Sequence, residues 1–337
     1  MPTTITLAHA LGQPTLKGTV RATPEDFQVD EVLGFDPDGS GEHACLHIRK
    51  RGANTADVAK QLARLAGVKH MDVSYAGLKD RHAVTTQWFS VYLGNTPEPD
   101  WSQLENESVK ILTATRHRRK LRRGTLKGNR FKLWLRELQG DTADLGQRLQ
   151  TIAATGVPNY FGEQRFGYDN LEKAGAMFAG RIKVKDRNKR SIYLSAARAA
   201  IFNHVLSQRV AAGTWNCGLN GDVMMLAGSH SIFPVEQVDE DIERRIKEQD
   251  IHPTGPLWGR GALPSGAEVN TLERTCGAAH AVFCEGLERA GMRQERRALR
   301  LPLGELEWRL DGRDLWLAFF LLSGSYATAV LRELVSA

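Results

Sequence analysis

Leu315-Trp316-Leu317-Ala318-Phe319-Phe320-Leu321-Leu322 is the longest apolar run in the chain, and its reading decides the fold. Eight residues are far too few to cross a bilayer, which needs roughly 20; a run this short reads as a buried strand. Further β-rich or alternating stretches lie at 27–32, 44–49, 85–93 and 131–135. Helical periodicity appears at 55–65, 142–154, 195–211, 239–249 and 278–290. Asn54 is placed to cap the first of these helices, and Ser195 to cap the third. Strands therefore dominate residues 1–140 and return after 305, around a largely helical middle. That order predicts an α+β protein in which a helical insertion interrupts a sheet domain. Turn residues at Gly156-Val157-Pro158 and Leu301-Pro302-Leu303-Gly304 suit the boundaries, giving a sheet domain of 1–154 plus 302–337 and an insertion of 155–301.

A chain of 337 residues with 42% hydrophobic and 25% charged side chains can bury a large core, and its length fits two domains better than one. The charge excess is modest, 45 − 39 = +6. Its distribution is not. Residues 116–130, RHRRKLRRGTLKGNR, hold eight Lys or Arg and no acid, and residues 181–190, RIKVKDRNKR, hold six against one Asp. Two such clusters imply a polyanionic partner. The four cysteines, Cys45, Cys217, Cys276 and Cys284, form no C-x-x-C pair, so a reduced cytoplasmic protein is expected. Residues 1–18 lack the basic start and apolar core of a leader, and no export or membrane partner is expected.

Among the motifs, Gly77-Leu78-Lys79-Asp80-Arg81-His82 stands out as a Gly-opened turn just before a strand. Asp80 sits there between two cations, which favour its charged form. Such a carboxylate can serve as nucleophile or base, although a turn Asp more often satisfies local backbone donors. His43, Cys45 and His47 alternate on one face of a strand, but no fourth ligand stands at a zinc-site spacing, so no metal is expected. The segment 255–261 is Gly-rich without the Gly-Lys-Ser/Thr ending of a phosphate loop. Cys276 and Cys284 read as buried thiols on a single helix. Gly128-Asn129-Arg130-Phe131 closes the first basic cluster, where an amide can read a base edge and a ring can stack on it. Residues 158–167 mix aromatics, amides, Arg165 and two glycines, as a tight loop or a junction packed by Tyr160 and Phe166 would. Residues 323–328 form a Ser/Thr-rich turn ahead of a short helix, able to receive an anionic or polar group.

Six ordered blocks carry a resemblance: RATPEDF at 21–27, AGLKDRHAVT at 76–85, KGNRF at 127–131, VPNYFGEQRFG at 157–167, RNKR at 187–190 and GSYAT at 324–328. Together they resemble the TruD family of tRNA pseudouridine synthases, from about residue 15 onward. The resemblance implies a mixed, largely antiparallel sheet of pseudouridine synthase type interrupted by the family's own mostly helical domain. It implies an isomerase that converts uridine to pseudouridine in tRNA, at position 13 of the D arm, with no metal or cofactor. The catalytic aspartate falls on Asp80. The supporting cation falls on Arg21, where relatives often carry Lys, and substrate-binding positions fall on Phe27, Asn129, Phe131 and Tyr326, the last often Phe in relatives.

On that basis Arg21 is expected to pair with Asp80. Phe131, with Phe27 or Tyr326, is expected to sandwich the target base while Asn129 reads its Watson-Crick edge. A paired uridine must first be flipped out, at a few kcal/mol. Phosphate contacts from Arg118, Arg119, Arg122, Arg187, Lys189 and Arg190 are expected to offset that cost. The partner expected is tRNA, and no obligatory protein partner is called for, so a monomer is expected.

Overall fold

The computed structural model describes residues 6–94, 96–122 and 124–336. In chain order the first half forms β1 (Lys17–Val20), β2 (Phe27–Leu33), β3 (His43–Arg51), α1 (Thr55–Leu65), β4 (Val73–Tyr75), β5 (Val84–Tyr92), β6 (Val109–His117) and β7 (Leu126–Gln139). There follow α2 (Leu145–Thr155), β8 (Val157–Pro158), α3 (Asn170–Phe178), α4 (Arg187–Ala211), β9 (Val223–Leu226), β10 (Ile232–Pro234), α5 (Glu240–Lys247) and β11 (Ile251–Leu257). The chain closes with α6 (Ala267–Ala278), α7 (Ala281–Arg289), β12 (Glu295–Ala298), β13 (Arg300–Leu301), β14 (Gly304–Asp311), β15 (Asp314–Leu322) and α8 (Ala327–Leu331).

These elements group into two compact units. The sheet unit comprises Leu16–Asp141 and Leu303–Ser325; the second comprises Thr142–Pro302, Tyr326–Ser336 and the stretch ending at Thr15. The division therefore falls at 15/16, 141/142, 302/303 and 325/326 rather than at 154/155 and 301/302. Hydrogen bonds account for the difference. Arg148 on α2 donates to the carbonyls of Gly12 (3.3 Å) and Glu333 (3.0 Å), and Gln249 donates to that of Ala154 (2.7 Å), tying α2 to Gly12, Glu333 and Gln249 within the second unit.

In the sheet unit the strands run β14-β15-β7-β2-β5-β3-β6, with β1 on β7 and β4 on β5. Among the described residues every pair of neighbouring strands in it is antiparallel except β2 with β5, so the sheet is mixed and largely antiparallel. The apolar run lies within β15, which pairs with β7 over eight positions, from Leu315 opposite Leu135 to Leu322 opposite Gly128. Flanking strands on both sides extend β7 to 14 residues, well past the apolar segment 131–135. Gly128 is required there, since a Cβ would lie 2.2 Å from the Leu321 carbonyl oxygen. On α1 the apolar stripe Val58, Ala59, Leu62 and Ala63 packs over Leu46 and Ile48 of β3 and Phe89 of β5. Burying a side chain of the size of Leu62 stabilises by about 1.5–3 kcal/mol.

The second unit is mostly helical, as expected, and also carries a four-stranded sheet, β10-β9-β11-β12, beside its helices. Its longest helix, α4, begins at Arg187 and not at Ser195. Asp186 caps it, accepting from Asn188 N (2.8 Å) and Lys189 N (3.1 Å). Cys276 and Cys284 occupy two helices, α6 and α7, not one, and burial pushes both thiols up to about 12. Among the described residues no helix is long and apolar enough to cross a membrane.

Candidate active site

Residues paired in register share a face of the sheet, and one face gathers the chemistry. On β2, Phe27, Val29 and Glu31 stand opposite Leu133, Phe131 and Asn129 of β7. On the other flank, Val29 is level with Thr85 of β5, which is in turn opposite Lys50 of β3. The β3–β5 end of this face is covered by α1. The loop 76–83 between β4 and β5 belongs to the same face, because its anchors stand there. Gln87 Nε2 donates to the Gly77 carbonyl (2.6 Å), Thr55 Oγ1 donates to Gln87 Oε1 (2.9 Å), and Lys79 N donates to Thr55 Oγ1 (3.1 Å).

Asp80 is fixed from both ends of its residue. Lys50 Nζ donates to the Asp80 carbonyl (3.1 Å) and to that of Ala53 (2.9 Å), while Asp80 Oδ1 accepts from His82 N (2.9 Å). The remaining oxygen, Oδ2, lies 3.0 Å from Arg21 Nη1, with both side chains 28% exposed. A turn Asp that only satisfied local donors would leave Arg21 unexplained. The two sequence neighbours, by contrast, turn away. Lys79 Nζ reaches Glu31 Oε1 at 2.6 Å, and Arg81 Nε donates to the Gly52 carbonyl (3.3 Å). The cation on Asp80 therefore comes from the loop that precedes the neighbouring strand β2 and not from the flanking residues.

Arg21 is held at φ 64°, the left-handed region that a non-glycine side chain rarely adopts. Its guanidinium carbon sits 4.0 Å from the centroid of the Phe27 ring, a cation–π platform that sets its height above the sheet. Phe27 and Phe131 are both buried and meet edge to face, centroids 6.3 Å apart at 78°, while Phe131 stacks on Phe319 at 5.4 Å. The pair does not form two parallel plates. Phe27 serves Arg21, and Phe131 forms a floor beside Asn129. Tyr326 belongs to the second unit, where its hydroxyl is hydrogen-bonded to Arg165 Nη2 and its ring lies 6.2 Å from that of Phe161.

Two buried charges were not picked out by motif reading. Glu31, wholly buried as a side chain, takes Lys79 on one oxygen and accepts from Trp88 N on the other (2.9 Å). Burial pushes its carboxyl up, and the charge of Lys79 opposes that. Lys50 is 1% exposed, and burial draws its ammonium down to about 8, with the Asp80 charge opposing. A signal for both exists in the sequence. Glu31 continues the inward alternation of Phe27 and Val29, and Lys50 that of Leu46 and Ile48, so each is a charge at a position patterned for burial.

Three buried polar atoms at this place, Arg21 Nε, Thr85 Oγ1 and Asn129 Oδ1, have no hydrogen-bond partner among the described residues. Leaving such an atom unsatisfied costs about 1–3 kcal/mol. Thr85 and Asn129 stand on the strands either side of β2, on the face described above, and Arg21 is the residue that pairs with Asp80; buried polar atoms left without a protein partner are suited to a polar ligand.

The first basic cluster lines a concavity of about 920 Å³ in the sheet unit, with Arg118, Arg119 and Arg122 exposed on its wall. Arg123 of that cluster lies outside the described residues. Stacking of Phe35 on His117 (4.7 Å) and the His117 Nδ1 to Asp38 Oδ2 contact (2.8 Å) shape its floor. Arg187, Lys189 and Arg190 stand exposed at the start of α4. On β3, His47 stacks on Trp88 (4.5 Å, 9°), His43 leans on Tyr92 and Cys45 is buried. Among the described residues no group of three or more His, Cys, Asp or Glu could hold a metal ion.

A family model described as tRNA pseudouridine synthase D (TruD) matches residues 6–177 and 168–334. The chain belongs to the TruD family. A relative from Methylococcus capsulatus, named tRNA pseudouridine synthase D, is 54% identical over 332 residues, covering 98% of this chain and 94% of its own. Relatives of the same name from Aeromonas salmonicida and Nitrosococcus oceani are 51% and 49% identical, covering 98% of this chain and 94% and 93% of theirs. A solved structure of a candidate TruD protein from Methanosarcina mazei aligns with a TM-score of 0.74 at 21% identity, covering 98% of this chain and 96% of its own, which shows the shared fold.

Proposed function

We propose that this TruD family member isomerises uridine to pseudouridine in tRNA, at position 13 of the D arm, with Asp80 as the catalytic group. The observation that carries the reading is the Arg21–Asp80 pair, held on an anchored loop, with the unpartnered polar atoms of Thr85 and Asn129 on the adjoining strands β5 and β7. The reaction breaks the bond between the ribose and N1, turns the base and rejoins it through C5, exchanging the C5 proton for one on N1. Asp80 engages the nucleoside, by adding to it or by taking a sugar proton. Arg21 holds the carboxylate in place through its contact with Oδ2. A uracil edge offers one N–H and two carbonyls, which an Asn129 amide and a Thr85 hydroxyl complement. Phe131 floors that position. The target leaves its stack to enter, and Arg118, Arg119 and Arg122 contribute the phosphate contacts that offset flipping. A tRNA substrate places the enzyme in the cytoplasm, acting as a monomer without cofactor.

The test is tritium release from tRNA carrying 5-tritiated uridine, with pseudouridine mapping of the product. Asp80→Asn is expected to abolish release while tRNA affinity stays within about twofold of wild type, a change worth under about 0.5 kcal/mol. Retained release would overturn the assignment of Asp80, and a mapped site elsewhere would overturn position 13.

A further inference from the structure

Because α4 starts at Arg187, its first two turns can be placed on a helical wheel of about 100° per residue. Arg187, Arg190, Ser191, Leu194 and Ser195 then fall on one face, and they line a concavity of about 350 Å³ in the second unit. Lys189 points about 160° away from Arg187. The far end of the face is closed by Arg165. Its Nη1 donates to Ser195 Oγ (2.8 Å), its Nη2 is bonded to the Tyr326 hydroxyl, and its buried Nε has no partner among the described residues. Among the described residues none of Arg165, Arg187 and Arg190 has a carboxylate within salt-bridge distance, although this chain pairs Arg198, Arg209 and Arg296 with acids in the same unit. From Arg187 to Ser195 the helix rises about 12 Å. Arg187 and Arg190 thus line one trough together with Ser191, Leu194 and Ser195, and Arg165 stands at its Ser195 end, all three guanidiniums without a paired acid among the described residues.

We infer that this face of α4, with Arg165 at its end, is a track for consecutive phosphodiesters of the bound RNA strand, and that Lys189 is not part of it. Arginine forks and serine hydroxyls fit phosphate oxygens without reading bases. The inference rests on the tRNA reading above and sharpens it: it adds Arg165 and Ser195 to the RNA-contacting set and removes Lys189 from it.

The experiment measures tRNA affinity of the full chain against KCl concentration. Each lost phosphate contact lowers the slope of log K against log[salt] by about 0.7–0.9. Arg190→Gln and Arg165→Gln are each expected to lower the slope by that amount, and Lys189→Gln to leave it unchanged. Thermal unfolding checks that each variant is folded, and Arg165→Lys, which keeps the charge, is expected to restore the slope. An unchanged slope in folded Arg165→Gln, or a Lys189→Gln loss equal to that of Arg190→Gln, would overturn the track. The slope is read from binding and synthase activity from tritium release, so failure of one cannot be mistaken for failure of the other.

Discussion

Arg21 Nη1 stands 3.0 Å from Asp80 Oδ2 while the Arg21 backbone is held at φ 64°. A left-handed arginine costs on the order of 1 kcal/mol, and the conformation delivers the guanidinium at once to the Phe27 ring and to the carboxylate. Arg21→Gly separates the two consequences. Glycine relieves the strain but removes the cation, so activity is expected to fall by at least about 100-fold, a barrier increase of about 2.7 kcal/mol, with the melting temperature within about 3 °C of wild type. Arg21→Lys keeps a charge without the planar fork and is expected to fall between the two. Single-turnover rates with calorimetry on the same samples decide it; a large drop in melting temperature for Arg21→Gly would show that Arg21 is chiefly structural.

The Glu31–Lys79 pair makes a different demand. With Glu31 wholly buried and Lys79 nearly so, removing one partner strands the other charge. Glu31→Gln is therefore expected to destabilise by about 3–5 kcal/mol, and the double change Glu31→Leu with Lys79→Met to recover most of that loss. Urea unfolding measures both. Equal losses in the single and the double variant would mean that packing, not charge pairing, sets the contribution.

The pair also shows where the sequence was legible. The β15 run and the α1 boundaries at Thr55 and Leu65 could be read directly, because local periodicity and burial agree there. The charged turn from Arg187 to Arg190 carries no apolar stripe and hides two turns of helix, so local pattern puts the cap at Ser195. β6 escaped for a similar reason, since only Val109 of its nine residues is buried. At the site, adjacency misleads. Lys79 and Arg81 flank Asp80 in sequence, yet the loop turns them to Glu31 and to the Gly52 carbonyl, and the ion partner arrives from residue 21. Which cation meets which carboxylate depends on strand register, a long-range property that no local window contains.

In the second unit, acid should act through His252. Its ring is 5% exposed, and its Nδ1 accepts from Arg300 Nε at 3.0 Å, a bond only the neutral ring can accept. Burial, aided by the charge of Arg300, draws it down to about 4 from an ordinary 6.5. Between those values the unfolded chain binds the extra proton, so stability rises with pH across the window and is lost as pH falls from about 6.5 to about 4. The loss is of order 3 kcal/mol. His252→Asn keeps an acceptor without a titrating ring, and its urea midpoint is expected to vary less with pH than that of wild type. Identical pH profiles would remove His252 from the account.

Lys50 is expected to make stability and activity respond to alkali in opposite directions. Its ammonium, drawn by burial down to about 8 from an ordinary 10.5, binds the Asp80 and Ala53 carbonyls. Between about 8 and 10.5 the unfolded state holds more protons than the folded one, so this group's contribution to stability increases as pH rises through that range. Activity should move the other way. Above about pH 8 Lys50 becomes a neutral amine, the positive charge beside Asp80 is withdrawn and the hold on the loop weakens. The rate of pseudouridine formation is therefore expected to show an alkaline limb near pH 8 that Lys50→Met lacks, at a lower plateau rate. Circular dichroism at each pH shows whether the protein stays folded while the rate falls. A limb that survives in Lys50→Met would assign the titration to another group, and a limb that tracks loss of structure would assign it to unfolding.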